Sequence, residues 1–369
     1  MHDDVVRLAQ ELIALESEVH HSNEAVSAHI EALLVALGFE VERLTYAADG
    51  TQKVNLVGKL GRGEGGLGFF GHSDTVPGGE GWLPYQPAVR EGRLWGRGSA
   101  DMKGALACML VALSGVARGR LRRPVFVGVT SDEENGHRGA KFIADRSQTL
   151  QRGWPAYSVV GEPTELRPVY AHKGGRRIRV VARGVAAHTS TDRGLSANFL
   201  IAPFLAEMAE LRQRFQTEER FLNREFDPPT NGFNMVLDDG GCAHNVTAAC
   251  TVCTLSVRLM PGPDPEEVIR LIVAKAQAHG FEVETSGFPY FSVSPEAEIV
   301  RLACRVTGVE RAATVPYGTE AEVYQAYTQP VVLGPGSIAQ AHTVDEWIAL
   351  EQLARGVEIY RSLVERVCM

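Results

Sequence analysis

His72, Asp101, Glu134, Glu162 and His342 are side chains of the kinds that hold divalent metal ions, and all five stand at comparable places in the chain. His72 closes the apolar run LGFFG, Glu134 follows FVGVTS, Glu162 follows YSVVG, His342 follows VVLGPGS, and Asp101 precedes the helix-like MKGALACML. In an open α/β sheet the carboxyl ends of the strands form one crevice, so residues scattered along the sequence can converge there. Two imidazoles with three carboxylates form a mixed nitrogen and oxygen donor set, which suits zinc, cobalt or manganese better than calcium or a thiolate-loving ion. A carboxylate has two oxygens and can bridge two ions held roughly 3.5–4 Å apart. Asp101 is the bridging candidate, with His72 and Glu162 completing one ion and Glu134 and His342 the other.

Glu133 need not coordinate. A carboxylate beside a metal-activated water can take its proton and later deliver it to a leaving amine. Asp74, two residues beyond His72, is placed to accept the other imidazole N–H and fix the ring. Each fragment also has a plainer reading. Ser131-Asp132-Glu133-Glu134 could complement a helix start, Asp101 could be an N-cap, and Glu162-Pro163-Thr164 could be a turn. Their joint occurrence at corresponding topological positions favours the metal site.

The elements that must position these residues alternate. Helical periodicity covers 5–15, 25–37, 104–116 and 137–145, with apolar strands at 54–58, 67–71, 124–130 and 157–161, an α/β pattern. Beyond His172-Lys173-Gly174 the character changes to an alternating strand at 176–181, a long helix at 197–215, strands at 233–237 and 249–259, then a helix and a strand to about Glu284. A strand at 331–333 and a final helix at 350–364 follow. The reading is a discontinuous catalytic domain, 1–174 and 286–369, interrupted by an α+β insert, 175–285.

With 369 residues, two domains are the natural expectation. Hydrophobic residues at 44% and charged residues at 22% are ordinary for a globular chain. A net charge of −8 argues against nucleic acid or an anionic membrane as partner. No apolar run approaches the roughly 20 residues that span a bilayer. Six scattered cysteines without a secretory segment fit reduced thiols in a cytoplasmic protein. Cys250 and Cys253 form a lone CxxC in a strand-like context, which carries no metal or redox reading.

On these residues the chain resembles the M20 metallopeptidase family of acetylornithine deacetylases, succinyl-diaminopimelate desuccinylases, aminoacylases and related carboxypeptidases. The resemblance spans essentially the whole chain and rests on GHSDTVP (71–77), GRGSADMKG (96–104), SDEENG (131–136), GEPT (161–164) and the segment around His342. It implies a zinc-exopeptidase-like catalytic domain, with a mixed central sheet flanked by helices, and a lid domain that mediates homodimerisation. It also implies two zinc or cobalt ions on the five ligands above, with Glu133 as general base. His188, in GVAAHT, matches a lid histidine that stabilises the oxyanion. Arg258 and Asn245 match residues that hold the substrate carboxylate. GPGSIAQAH followed by Asp345-Glu346 resembles the acetylornithine deacetylase branch, and so does TEA, whose Thr319 and Glu320 the resemblance suggests as further substrate contacts. Ala187-His188-Thr189-Ser190, where that branch has Gly-His-Ser, and Ser256, where an acidic residue is frequent, are departures.

The resemblance thus implies removal of the acyl group from a small N-acylated amino acid, with N2-acetylornithine giving ornithine and acetate for arginine biosynthesis. Succinyl-diaminopimelate, acyl-citrulline or acyl-lysine substrates, general aminoacylase action and dipeptide hydrolysis share the metal site and differ in the pocket. All six key residues are present, which weighs against a non-catalytic homologue that only binds an amino-acid derivative.

Overall fold

Strands Leu67–His72 and Val125–Thr130 are buried at every position, the pattern of strands covered on both faces. In the computed structural model, which describes residues 2–369, they lie at the centre of one large mixed sheet. The chain forms two compact units, one of Met1–Tyr170, Val293–Ala313 and Thr319–Met369, the other of Ala171–Ser292 and Thr314–Gly318. The second unit therefore begins four residues before, and its main segment ends seven after, the insert borders read from the sequence.

In the sheet, the strand order runs Glu40–Ala48, Thr51–Leu60, Val125–Thr130, Leu67–His72, Tyr157–Pro163, Gln329–Gly334, Val169–His172. The Val125, Leu67, Tyr157 and Gln329 strands are mutually parallel. Their register sets His72 opposite Thr130 and Phe70 opposite Val160. The residues that follow Thr130, and Glu162 two places beyond Val160, thus leave the sheet along the same edge as His72. The strand Glu40–Ala48 was not legible as a strand. It alternates exposed and half-buried positions with charged residues, and is held by antiparallel pairing to Thr51–Leu60 across Asp49-Gly50, both at positive φ, the turn geometry that matches strand twist.

Beneath this edge, helix Lys103–Ser114 is buried from Lys103 to Leu113 and packed by helices His2–Ala14 and Leu350–Cys368. Its first turn lies so close to the preceding loop that a β-carbon at Gly104 would stand 2.3 Å from the Ser99 carbonyl oxygen. A small sheet of Ala88–Arg90, Arg93–Trp95 and Trp347–Ala349 pairs Trp347 with Trp95. That pairing sets Glu346 beside the 96–101 loop, whose Gly96 N–H donates to the Glu346 carbonyl at 2.9 Å.

The second unit carries an antiparallel sheet ordered Gly232–Asp238, Cys250–Arg258, Gly175–Arg183, Glu282–Phe288. Ile178, Val180, Phe204, Met208, Leu255 and Ile272 are among its core residues, drawn from the sheet and from helices Ala197–Thr217 and Glu267–Ala278. Cys250 and Cys253 are three apart on a strand, so they point to opposite faces, and Cys253 is fully buried in this core. No helix among the described residues is long and apolar enough to cross a membrane.

Candidate metal centre and catalytic residues

The geometry starts from Asp101, whose peptide bond to Met102 is cis. Its Oδ1 lies 3.0 Å from His72 Nε2 and its Oδ2 lies 3.4 Å from His342 Nε2. Each imidazole faces a second carboxylate: His72 Nε2 is 3.6 Å from Glu162 Oε1, and His342 Nε2 is 3.0 Å from Glu134 Oε1. Donor atoms of His72, Asp101 and Glu162 all lie within 4.8 Å of one another, as do those of Asp101, Glu134 and His342. The five ligands read from the sequence therefore come together as two sets of three that share Asp101, one oxygen to each set.

Two observations test whether cations fit. The Nδ1 of His72 is 2.9 Å from the Asp74 main-chain carbonyl. A carbonyl only accepts, so Nδ1 carries a proton and Nε2 is turned toward two carboxylate oxygens, and against its burial those carboxylates hold the metal-free imidazole well above its ordinary pKa. Acceptors facing acceptors require a cation, or a proton, between them. The second observation is Glu162 Oε1, which is buried and without a hydrogen-bond donor. Burying an anionic oxygen unpaired costs several kcal/mol, and a metal ion removes that cost. The donor set suits a divalent metal.

Asp74 differs from expectation in one respect. Its main-chain carbonyl takes the His72 N–H, while its carboxylate, 3.7 Å from Nδ1, accepts the main-chain N–H groups of Glu133 and Glu134 at 3.3 Å each. The residue still orients His72, and its side chain ties the 133–134 turn to the end of the Leu67–His72 strand. The carboxylate of Glu133 is near-buried, at 11% exposure, and within 4.8 Å of His72 and Glu134 donor atoms.

Two buried anchors had no role in the sequence reading. Glu346 accepts from the N–H groups of Ala100 and Asp101 with Oε1, and from Gly98 N–H and the Arg97 guanidinium with Oε2, at 2.8–3.0 Å. One carboxylate thereby fixes the loop that presents Asp101. Lys53 and Asp132 form an ion pair at 3.0 Å with both side chains almost wholly buried, and the Tyr46 hydroxyl donates to Asp132 Oδ2 at 2.8 Å. Asp132 has φ 55°, and this clamp holds it there immediately before Glu133. A lysine within the apolar strand KVNLV was the signal available for the second anchor.

Thr319 and Glu320 are both fully buried. Glu320 accepts the Thr130 hydroxyl at 2.6 Å and the Tyr324 hydroxyl at 3.3 Å, and Thr319 Oγ1 accepts the Ala321 N–H at 3.1 Å. Their side chains turn to the interior beneath Thr130 and away from solvent. His188, Asn245 and Arg258 are exposed residues of the second unit. The Thr189 N–H donates to the Asn245 carbonyl at 3.1 Å, which brings His188 and Asn245 into one locality, and Arg258 ends the strand Cys250–Arg258. The Ser190 N–H donates to His188 Nδ1 at 3.2 Å, so the neutral ring carries its proton on Nε2.

A profile of the Peptidase family M20/M25/M40 matches residues 68–366. The chain belongs to this family, and it is an amide-bond hydrolase. It is 33% identical over 368 residues to an acetylornithine deacetylase of Proteus mirabilis, covering 96% of this chain and 93% of that one. It is also 33% identical to an acetylornithine deacetylase of Myxococcus xanthus, covering 97% and 96%. The fold is that of the aminopeptidase PepT from Bacillus cereus, with TM-score 0.77 and 22% identity over 100% of this chain and 99% of that one. A dinuclear metal-binding M20 peptidase from Bacillus subtilis shares it at TM-score 0.69 and 14% identity, covering 99% and 98%.

Crowding sets the electrostatics of the metal-free protein. Burial, reinforced by neighbouring carboxylates, pushes Glu134 and Glu320 up to about 7, Asp74 to about 6 and Glu162 well above the ordinary carboxylate range. Acids whose folded pKa is raised hold their stability in full below their unfolded pKa and lose it as pH rises through the folded one. Hydrogen bonds to Asp101 and Glu134 raise His342 to about 10, which loses stability in the same direction. Asp101 is held well below its ordinary range by His342 and His72 despite burial, and so has its full contribution above about pH 5. The melting temperature of metal-free protein is therefore expected to fall between about pH 5 and about pH 8, and stabilisation by added zinc to grow over that interval. A metal-free melting temperature that stays flat or rises, measured by calorimetry, contradicts this electrostatic account.

Proposed function

We propose that this chain is a dinuclear-metal amidohydrolase that removes the acyl group from an N-acylated amino acid, with N2-acetylornithine as substrate. The observation that carries the metal part is the division of the two Asp101 oxygens between two sets of ligands. The acyl-amino-acid part rests on relatives named acetylornithine deacetylase, which match this chain over nearly its full length. The dinuclear character of the Bacillus subtilis neighbour agrees with it.

His72, Asp101, Glu162, Glu134 and His342 would hold two divalent ions, which would supply the positive charge that polarises an amide carbonyl and acidifies a water. Glu133 removes the proton from the attacking water and returns it to the departing α-amine. The same carboxylate serves both steps because it becomes an acid by acting as a base. His188, with its proton on Nε2, is assigned as donor to the developing oxyanion, and Asn245 and Arg258 as partners of the substrate carboxylate, for which guanidinium offers a two-pronged match. Zinc is the expected metal, with cobalt as substitute.

We assign homodimerisation to the second unit. Its strand Gly232–Asp238 is a sheet edge with Met235, Val236 and Leu237 exposed at 37%, 58% and 50%, and an unpaired apolar edge invites strand pairing. Sedimentation velocity is expected to give twice the chain mass for the wild type and the chain mass for Val236→Lys; a wild-type monomer contradicts the assignment.

Zinc-loaded protein should release free α-amine from N2-acetylornithine with kcat/KM of about 10⁴ M⁻¹s⁻¹ or more, and chelated protein should not. Glu133→Gln should keep its metal while kcat falls by about three orders of magnitude or more. Turnover of dipeptides but not of N-acetylornithine would move the assignment to a peptidase. Near-normal turnover by Glu133→Gln would remove Glu133 from its role.

A further inference from the structure

His137 is buried beside the site, and the reaction scheme above gives it no task. Its ring stands between two carboxylates, with Nδ1 3.0 Å from Glu322 Oε1 and Nε2 3.3 Å from Glu133 Oε1. The side chains of His137 and Glu322 are 5% and 4% exposed, so neither contact is a mobile surface pair. Ionised carboxylates only accept, so each ring nitrogen donates and the imidazole is fixed at both ends. The backbone closes the same turn: His137 has φ 57° and its N–H donates to the Glu133 carbonyl at 3.1 Å. Lys141, at 3.7 Å from Glu322 Oε1, adds a cation on the solvent side of that carboxylate.

We propose that His137, oriented by Glu322, is the positioning residue for Glu133. Holding Oε1 of Glu133 leaves Oε2 as the oxygen that exchanges the proton with water and amine. A carboxylate that must collect a proton on one side of the scissile bond and deliver it on the other gains from losing its rotational freedom, because a misplaced base costs rate without costing affinity. The left-handed conformation at His137 serves this geometry, since it turns the side chain back along the 133–136 turn toward the residue four places earlier. The proposal rests on Glu133 carrying the proton.

A double-mutant cycle separates positioning from general support. His137→Ala should lower kcat tenfold or more with KM changed less than twofold. Placed in Glu133→Gln protein, it should change the residual kcat less than twofold, because a residue that acts through Glu133 has nothing left to position. An equal loss in both backgrounds, or no loss in the wild type, overturns the proposal. Nitrogen-edited NMR of wild-type, metal-free protein supplies a readout that needs neither substrate nor variant. Both ring nitrogens of His137 should be protonated at neutral pH, and a ring with a single protonated nitrogen overturns the proposal. If the wild type turns over no N-acyl amino acid, the reaction reading fails on its own, and the NMR spectrum still decides the placement of His137.

Discussion

Everything around the site answers to one electrostatic problem. Asp101, Glu133, Glu134 and Glu162 are gathered about the buried His72, with the exposed His342 closing the solvent side, and so many crowded carboxylates cannot all ionise there without added positive charge. Asp101 resolves it by geometry, since its two oxygens point to different imidazoles. Each imidazole then shares its inward nitrogen with a further carboxylate, so two cations placed in the gaps would satisfy all five ligands. Without them, burial and mutual repulsion push Glu134 and Glu162 toward their protonated forms, and the ligand set works against the stability of the fold.

Holding such groups in place demands anchors whose own charges are satisfied, and the molecule places one behind each critical loop. Glu346 collects three main-chain N–H groups and Arg97 behind the Asp101 loop. Lys53 and Tyr46 clamp Asp132 ahead of Glu133, and the Asp74 carboxylate holds the N–H groups of Glu133 and Glu134. Removing one partner of a buried pair leaves the other uncompensated, at about 3–5 kcal/mol. These anchors are therefore costly to lose even though none of them touches substrate in the proposed reaction.

The candidate ligands stand out in the sequence because their chemistry and their place coincide. His72, Glu134 and Glu162 sit at or just past the ends of apolar runs, and parallel strands put such ends on one edge whatever lies between them in sequence. The expectation of an insert came from the alternation that replaces continuous apolar runs after His172. The anchors were harder to see. Glu346 reaches the Asp101 loop only through the pairing of Trp347 with Trp95, a contact between distant segments with no local signal. The Asp74 carboxylate and its own carbonyl exchanged roles because the carboxylate is taken by the N–H groups of Glu133 and Glu134, which come from a distant segment. Glu320 reads as a substrate contact through the family resemblance, and only the packing under Thr130 sends its side chain inward.

The central claim is that one carboxylate is shared between two ions. Anomalous diffraction from crystals grown with zinc tests it most directly. The account predicts two peaks about 3.5–4 Å apart, each about 2.0–2.2 Å from a different oxygen of Asp101, one also touching His72 and Glu162 and the other Glu134 and His342. A single peak, or paired peaks that do not both contact Asp101, would contradict it.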